Sequence, residues 1–246
     1  MLLAPFVTVG YPSISTSRDL ALGYVEAGAD MLEVGVPFSD PIADGPTVQA
    51  ASKIALDGGT RFIDAFDLIA DIRAKTEVPI LLMGYANPFM HHGFRELAYD
   101  LASAGADGLI TPDIPPEHAS DLEAATAEKN IHLIRFAAPT TSIERLERIA
   151  DGAQGFLYCV SVAGVTGSRA DLNPSLPNFL ASVREITSTP RMVGFGISKP
   201  EHLRSLRGQA EGVIVASALI DIVRSSPANT AVSAASHHVR ELVDAT

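Results

Sequence analysis

The chain has one cysteine, Cys159, in 246 residues, which excludes an internal disulfide and suits a reducing cytoplasm. Although 47% of the residues are hydrophobic, no run approaches the roughly 20 apolar residues that span a bilayer. A soluble protein without a membrane role is expected. No basic segment followed by a long apolar stretch opens the chain, so no secretory signal is expected either. Basic residues are scarce: 18 Lys+Arg against 29 Asp+Glu give a net charge of -11. That balance argues against general nucleic-acid or anionic-membrane binding, and any anion site must be built locally. No charged, Ser-rich or Pro-rich linker divides the sequence, so residues 1–246 read as one domain. Walker A and strand-borne Gly-x-Gly-x-x-Gly motifs are missing, which disfavours nucleotides and dinucleotides. The histidine pairs His91-His92 and His237-His238 lack the i,i+4 spacing of helix-borne ligands, and no metal is expected.

What the chain does have is alternation. Short apolar runs at 4–9, 30–36, 79–83, 108–111, 132–136, 155–160, 191–194 and 212–215 read as strands. Segments 17–27, 63–75, 94–104, 116–129, 143–150, 176–187 and 200–206 carry helical spacing, and 231–243 supplies a final helix. Strands alternating with helices imply a parallel sheet, and eight units favour closure into a single-domain (β/α)8 barrel over an open doubly wound sheet. A weak repeat supports this: Ala-Gly-Ala-Asp at 27–30 and 104–107, with looser versions at 151–155 and 208–212, precedes strands where helices stop and the chain turns. In such a barrel, chemistry gathers at the carboxyl ends of the strands.

The second strand ends in Glu33-Val-Gly-Val-Pro-Phe-Ser-Asp-Pro-Ile-Ala-Asp-Gly-Pro46. Alternation puts Met31, Glu33 and Gly35 on one face, so Glu33 points into whatever the strand lines. A shielded carboxyl there reads either as a satisfied buried acid or as a general acid/base with a raised pKa. Asp44 reads as a turn former in Asp-Gly-Pro or as a second acid that stays ionised. Asp40 reads as a turn residue or a contact to a partner. Glycine-rich pieces Gly164-Val-Thr-Gly167, Gly194-Phe-Gly-Ile-Ser198 and Ala216-Ser217 follow strands six to eight, where barrels hold phosphate on backbone N–H groups and a short helix. Gly167, Gly194, Gly196, Ala216 and Ser217 are therefore the candidate phosphate residues. Phe6, Thr8, Tyr85, Ile110 and Phe195 read as pocket walls or core, and Tyr158 as barrel filling or a site hydroxyl that needs a partner. Apolar walls around two acids and a phosphate cradle point to a bulky apolar or aromatic phosphoester.

From Pro5-Phe-Val-Thr-Val-Gly10 to the final helices, the residues resemble the tryptophan synthase alpha chain family. The resemblance is carried by the 33–46 segment, Tyr85-Ala-Asn-Pro88, Pro112-Asp-Ile-Pro115, Ser161-Val-Ala-Gly-Val-Thr-Gly167 and Gly194-Phe-Gly-Ile-Ser198, all in matching order. It implies a lyase of tryptophan biosynthesis that cleaves indole-3-glycerol phosphate to indole and glyceraldehyde 3-phosphate. It further implies an alpha2-beta2 complex, with pyridoxal phosphate in the beta chain and no cofactor in this one. Glu33 would then exchange protons, Asp44 face the indole N–H, and Tyr158 position substrate or Glu33. Gly167, Gly196 and Ser217 would take the phosphate, while loops 37–46 and 161–173 close over the site. Two departures stand out. The family's additional N-terminal helix before strand one is missing, which predicts an exposed barrel floor. Ala216 replaces a frequent Gly and fits only with negative φ. A free-standing lyase and a catalytically weak regulatory subunit are the alternatives.

Overall fold

The structure is a computed structural model that describes residues 1–161, 173–194 and 196–246. Eight short parallel strands form a closed barrel in sequence order: β1 (Leu2–Thr8), β2 (Leu32–Gly35), β3 (Ile80–Met83), β4 (Gly108–Ile110), β5 (His132–Ala137), β6 (Leu157–Val160), β7 (Arg191–Gly194) and β8 (Gly212–Val215). Closure is made by β1 against β8, from Leu2 opposite Gly212 to Pro5 opposite Val215. The strands read as near-continuous apolar runs because both faces are covered, the inner by barrel packing and the outer by helices. Each of the eight strands predicted from sequence is present, with ends shifted by a few residues.

Around the barrel lie α1 (Ile14–Glu26), α2 (Pro46–Asp57), α3 (Asp64–Arg73), α4 (Ala86–His92), α5 (Phe94–Ala104), α6 (Ser120–Glu128), α7 (Ile143–Asp151), α8 (Leu176–Ile186), α9 (Pro200–Leu206), α10 (Ser217–Ser225) and α11 (Ala231–Val243), with a 3-10 turn at Pro116–His118. Caps fix several starts: the Ser13 hydroxyl accepts from Thr16 N at 3.1 Å and Ser142 from Arg145 N at 3.3 Å. Two helices escaped the sequence reading. In α2, Pro46 at the first helical position supports a helix start rather than a stiff loop, and Val48, Ala51 and Ala55 face the barrel. In α4, Phe89 alone is buried, which leaves no periodic signal to read. No helix among the described residues is long and apolar enough to cross a membrane.

At the amino ends of the strands a cavity of about 340 Å³ opens between Leu2, Met31, Leu81, Ile134, Phe156 and Met192. Apart from Leu2, these lining side chains are buried. The opposite end carries the long βα connections and the carboxylates.

Candidate functional site at the carboxyl end of the barrel

Pairing sets the level of the first acid. Phe6 on β1 is opposite Glu33 on β2, and Glu33 is opposite Leu81 on β3, so the Glu33 side chain stands in the barrel interior beside the Phe6 ring, level with an aliphatic Leu81. It is 4% exposed, and among the described residues Glu33 Oε2 has no hydrogen-bond partner. A buried, unsatisfied carboxyl oxygen costs stability and is retained where it has work to do. Burial pushes the Glu33 pKa up to about 8, and the nearby Asp44 charge pushes it the same way. At neutral pH the group is thus a protonated acid, able to give a proton away.

Asp44 arrives from the loop between β2 and α2, and its carboxyl is also buried. The Tyr85 hydroxyl donates to Asp44 Oδ2 at 2.8 Å, and Gln49 Nε2 donates to the Asp44 carbonyl oxygen at 2.8 Å. Phe38, from the same loop, stacks on the Tyr85 ring with centroids 5.5 Å apart. Tyr85 at the mouth of β3 therefore holds the loop in place by a ring contact and a hydrogen bond together. Burial raises the Asp44 pKa to about 6, and the Tyr85 hydrogen bond opposes that rise. The two carboxyls are pushed to different values, which is the condition for one to carry a proton while its neighbour carries charge. Replacing Tyr85 by Phe removes the donor and lets the Asp44 pKa climb. The low-pH limb of kcat/KM should move upward from about 6, with activity at pH 6 falling about tenfold; an unmoved limb would show that Tyr85 does not tune Asp44.

One narrow cavity of about 30 Å³ is lined by Phe6, Glu33, Asp44, Ile110, Tyr158 and Ala216, among others. Six of the residues singled out from sequence thus meet at one place, from five strands or the loops that follow them. Tyr158 stacks on Phe136 with centroids 4.6 Å apart, and burial followed by the Glu33 charge drives its hydroxyl pKa well up, so it stays a neutral phenol. Ile110 is buried beside it, while Thr8 is buried with Oγ1 unpartnered among the described residues. The lining contains no lysine, and no group of three or more His, Cys, Asp or Glu among the described residues is placed to hold a metal. Cys159 is fully buried with its thiol pushed up to about 12, a packing residue rather than a nucleophile.

The phosphate candidates separate. Gly194 closes β7 directly under Tyr158: a Cβ there would sit 2.3 Å from the ring and 2.4 Å from its hydroxyl. Its first duty is to leave room for that ring, which sequence reading did not foresee. Gly194→Ala should displace Tyr158 and cost about 1–3 kcal/mol by overpacking. A falling Tm together with loss of activity would show this, whereas an unchanged Tm would mean the ring moves aside freely. Gly196 has φ 85, a conformation that favours glycine. Ala216 has φ -120, the negative value its side chain requires, and it leads into buried Ser217 at the first position of α10. Gly167 and Phe195 lie outside the described residues, as does most of the 161–173 loop. Ser161 is described: it is buried, and its N–H donates to the Gly194 carbonyl at 3.1 Å.

Asp40 is exposed in the 37–46 loop and accepts from the Ser39 hydroxyl. Sequence reading missed the role of Asp113, which accepts from Ala86 N at 3.0 Å and from the Thr111 hydroxyl at 3.0 Å. It ties the loop after β4 to the start of α4, next to Tyr85. Its position in Pro112-Asp-Ile-Pro115 was the available signal.

With this geometry in view, comparison with known proteins is informative. The family model described as tryptophan synthase alpha chain matches residues 1–246. Tryptophan synthase alpha chains of Roseiflexus sp. (strain RS-1) and Chloroflexus aurantiacus are 48% and 44% identical, covering 98% and 99% of this chain and 92% of each relative. Among solved structures, Mycobacterium tuberculosis tryptophan synthase superposes with a TM-score of 0.92 at 33% identity over 99% of this chain and 91% of that one. The Legionella pneumophila alpha chain gives 0.89 at 32% identity, covering 99% and 90%. A closed eight-stranded barrel with paired acids at its mouth, and matches of this extent along its whole length, lead to one conclusion: the chain belongs to the tryptophan synthase alpha chain family.

Proposed function

We propose that this chain is the lyase subunit of a tryptophan synthase, cleaving the C–C bond of indole-3-glycerol phosphate to release indole and glyceraldehyde 3-phosphate in tryptophan biosynthesis. The observation that carries the reading is Glu33, a buried carboxyl with one oxygen unpartnered among the described residues, in a cavity shared with a second, separately anchored acid. Family membership supplies the substrate and the carboxyls supply the chemistry.

Protonated Glu33 gives its proton to indole C3, and positive charge develops across the ring toward the N–H. The Asp44 carboxylate, fixed by Tyr85, faces that charge and lowers the barrier. Glu33, now a carboxylate, takes the proton of the side-chain hydroxyl. The C–C bond breaks, the aldehyde forms, and the bonding pair returns to the ring as indole. One proton leaves Glu33 and one returns, so the group is reset after each turnover. Tyr158 holds the substrate or Glu33 in register, and Phe6 and Ile110 flank the indole. The phosphate is taken by Gly196, Ser217 and Gly167, with the α10 terminus favouring an anion.

Indole then passes to a beta chain, in an alpha2-beta2 assembly in the cytoplasm. Pyridoxal phosphate belongs to that beta chain. The test is indole release from the isolated chain and from the chain with a beta chain. Strong activation by the beta chain is the expected result. High unassisted turnover would favour a free-standing lyase, and no cleavage in either setting, with ligand still altering the beta chain, would favour a regulatory subunit.

A further inference from the structure

We propose that His202 and His238 are positioning residues for the substrate phosphate, gripping the backbone of Ser198, in the loop after β7, through the peptide bonds on either side of it. The proposal rests on the reading above that this loop and α10 receive the phosphate.

The grip is asymmetric in sequence and chemistry. Ser198 N–H donates to His202 Nδ1 at 3.2 Å, from the third residue of α9. His238 Nε2 lies 3.1 Å from the Ser198 carbonyl oxygen, reaching across from α11, 40 positions along the chain. Accepting at Nδ1 requires His202 to carry its proton on Nε2, while His238 must present an N–H at Nε2. Glu241 Oε2 lies 3.2 Å from Nδ1 on the other side of the His238 ring. The backbone N–H and C=O of Ser198 are thus both tied to side chains from outside the loop. His202 is 5% exposed and His238 18% exposed at its side chain, so water competes little for either bond.

The position of that peptide explains the need. Ser198 stands two residues after Gly196, whose φ of 85 turns the chain, and Ile197 between them is buried. A loop that offers backbone N–H groups to an anion binds best when its conformation is set before the anion arrives, because ordering it afterwards subtracts from affinity. The histidines do that setting. They are remote from the C–C bond being broken, so their effect falls on phosphate affinity rather than on the chemical step.

The full chain with its beta chain tests this, using indole release and competitive inhibition by inorganic phosphate. His202→Leu and His238→Leu are expected to raise KM for indole-3-glycerol phosphate and the phosphate inhibition constant together, about five- to tenfold, with kcat changed by less than about twofold. His202→Asn keeps an acceptor near Nδ1 and His238→Gln a donor near Nε2, and both should restore the two constants. A structural role alone would lower Tm and leave KM and the inhibition constant where they were, which overturns the proposal, as does failure of the Asn and Gln variants to restore them. Gly196→Ala separates the two layers. If it weakens phosphate while neither Leu variant does, the histidine grip falls and the phosphate loop stands. If phosphate does not compete in the parent, or Gly196→Ala has no effect, both fall. Should His202→Leu be insoluble, His238→Leu on its partly exposed ring decides.

Discussion

Glu33→Gln should abolish most indole release, lowering kcat by about 10²–10⁴-fold with KM little changed, because the glutamine fills the same space but carries no transferable proton. The parent enzyme should lose kcat/KM as pH rises through about 8, where the buried Glu33 gives up the proton it must donate. The variant's residual rate should lack that limb. The same substitution has a second, opposite consequence. A carboxyl whose folded pKa lies above its unfolded one contributes stability that is present at low pH and lost as pH rises through the folded value. For Glu33 the loss runs from the ordinary glutamate range up to about 8. Glutamine does not ionise, so the variant's unfolding free energy should draw level with and then exceed the parent's as pH climbs from 5 to 8, by on the order of 3 kcal/mol at the upper end, with a correspondingly higher Tm. A dead enzyme that melts higher is the expected signature. A Tm difference that stays flat across pH, or near-normal turnover in a folded variant, removes the buried-acid account.

Asp44→Asn comes second, at about 10²-fold in kcat, since a neutral amide still occupies the site but no longer opposes positive charge on the ring. Asp44 differs from Glu33 in what limits it. Its value near 6 means the carboxylate it must present is gained as pH rises, so the parent profile should be a bell between about 6 and about 8. Asp44→Asn should remove the acid limb and leave the alkaline one. Measuring kcat/KM for parent and both variants in the beta-chain complex checks this. A surviving acid limb in Asp44→Asn would assign that ionisation elsewhere.

The barrel was legible because each strand is a short apolar run with a helix after it, and the spacing of eight such runs leaves few architectures open. Helices were legible only where large apolar residues mark a face. In α2 the buried face is Val48, Ala51, Ser52 and Ala55, too small and too polar to stand out beside the Gly45-Pro46 turn signal. Glu33 was legible from strand alternation alone. Asp44 was not separable from a turn residue until Tyr85, 41 positions away, was seen donating to it. His238 reads in the sequence only as half of an adjacent pair without metal-ligand spacing, and what it approaches is the Ser198 carbonyl oxygen, for which no sequence pattern exists. Gly194 was read as part of an anion loop because glycines in loops look alike; only the Tyr158 ring above it shows why a side chain is excluded.

At β2, Met31 borders the cavity of the floor and Glu33 the narrow one of the mouth, two residues apart. That is a separation of about 7 Å along a strand. Within it the chain passes from a region where added volume fills a void to one where every atom is constrained by the reaction. Natural drift and deliberate thermostabilisation therefore have room on one side of a single residue, Leu32, and almost none on the other.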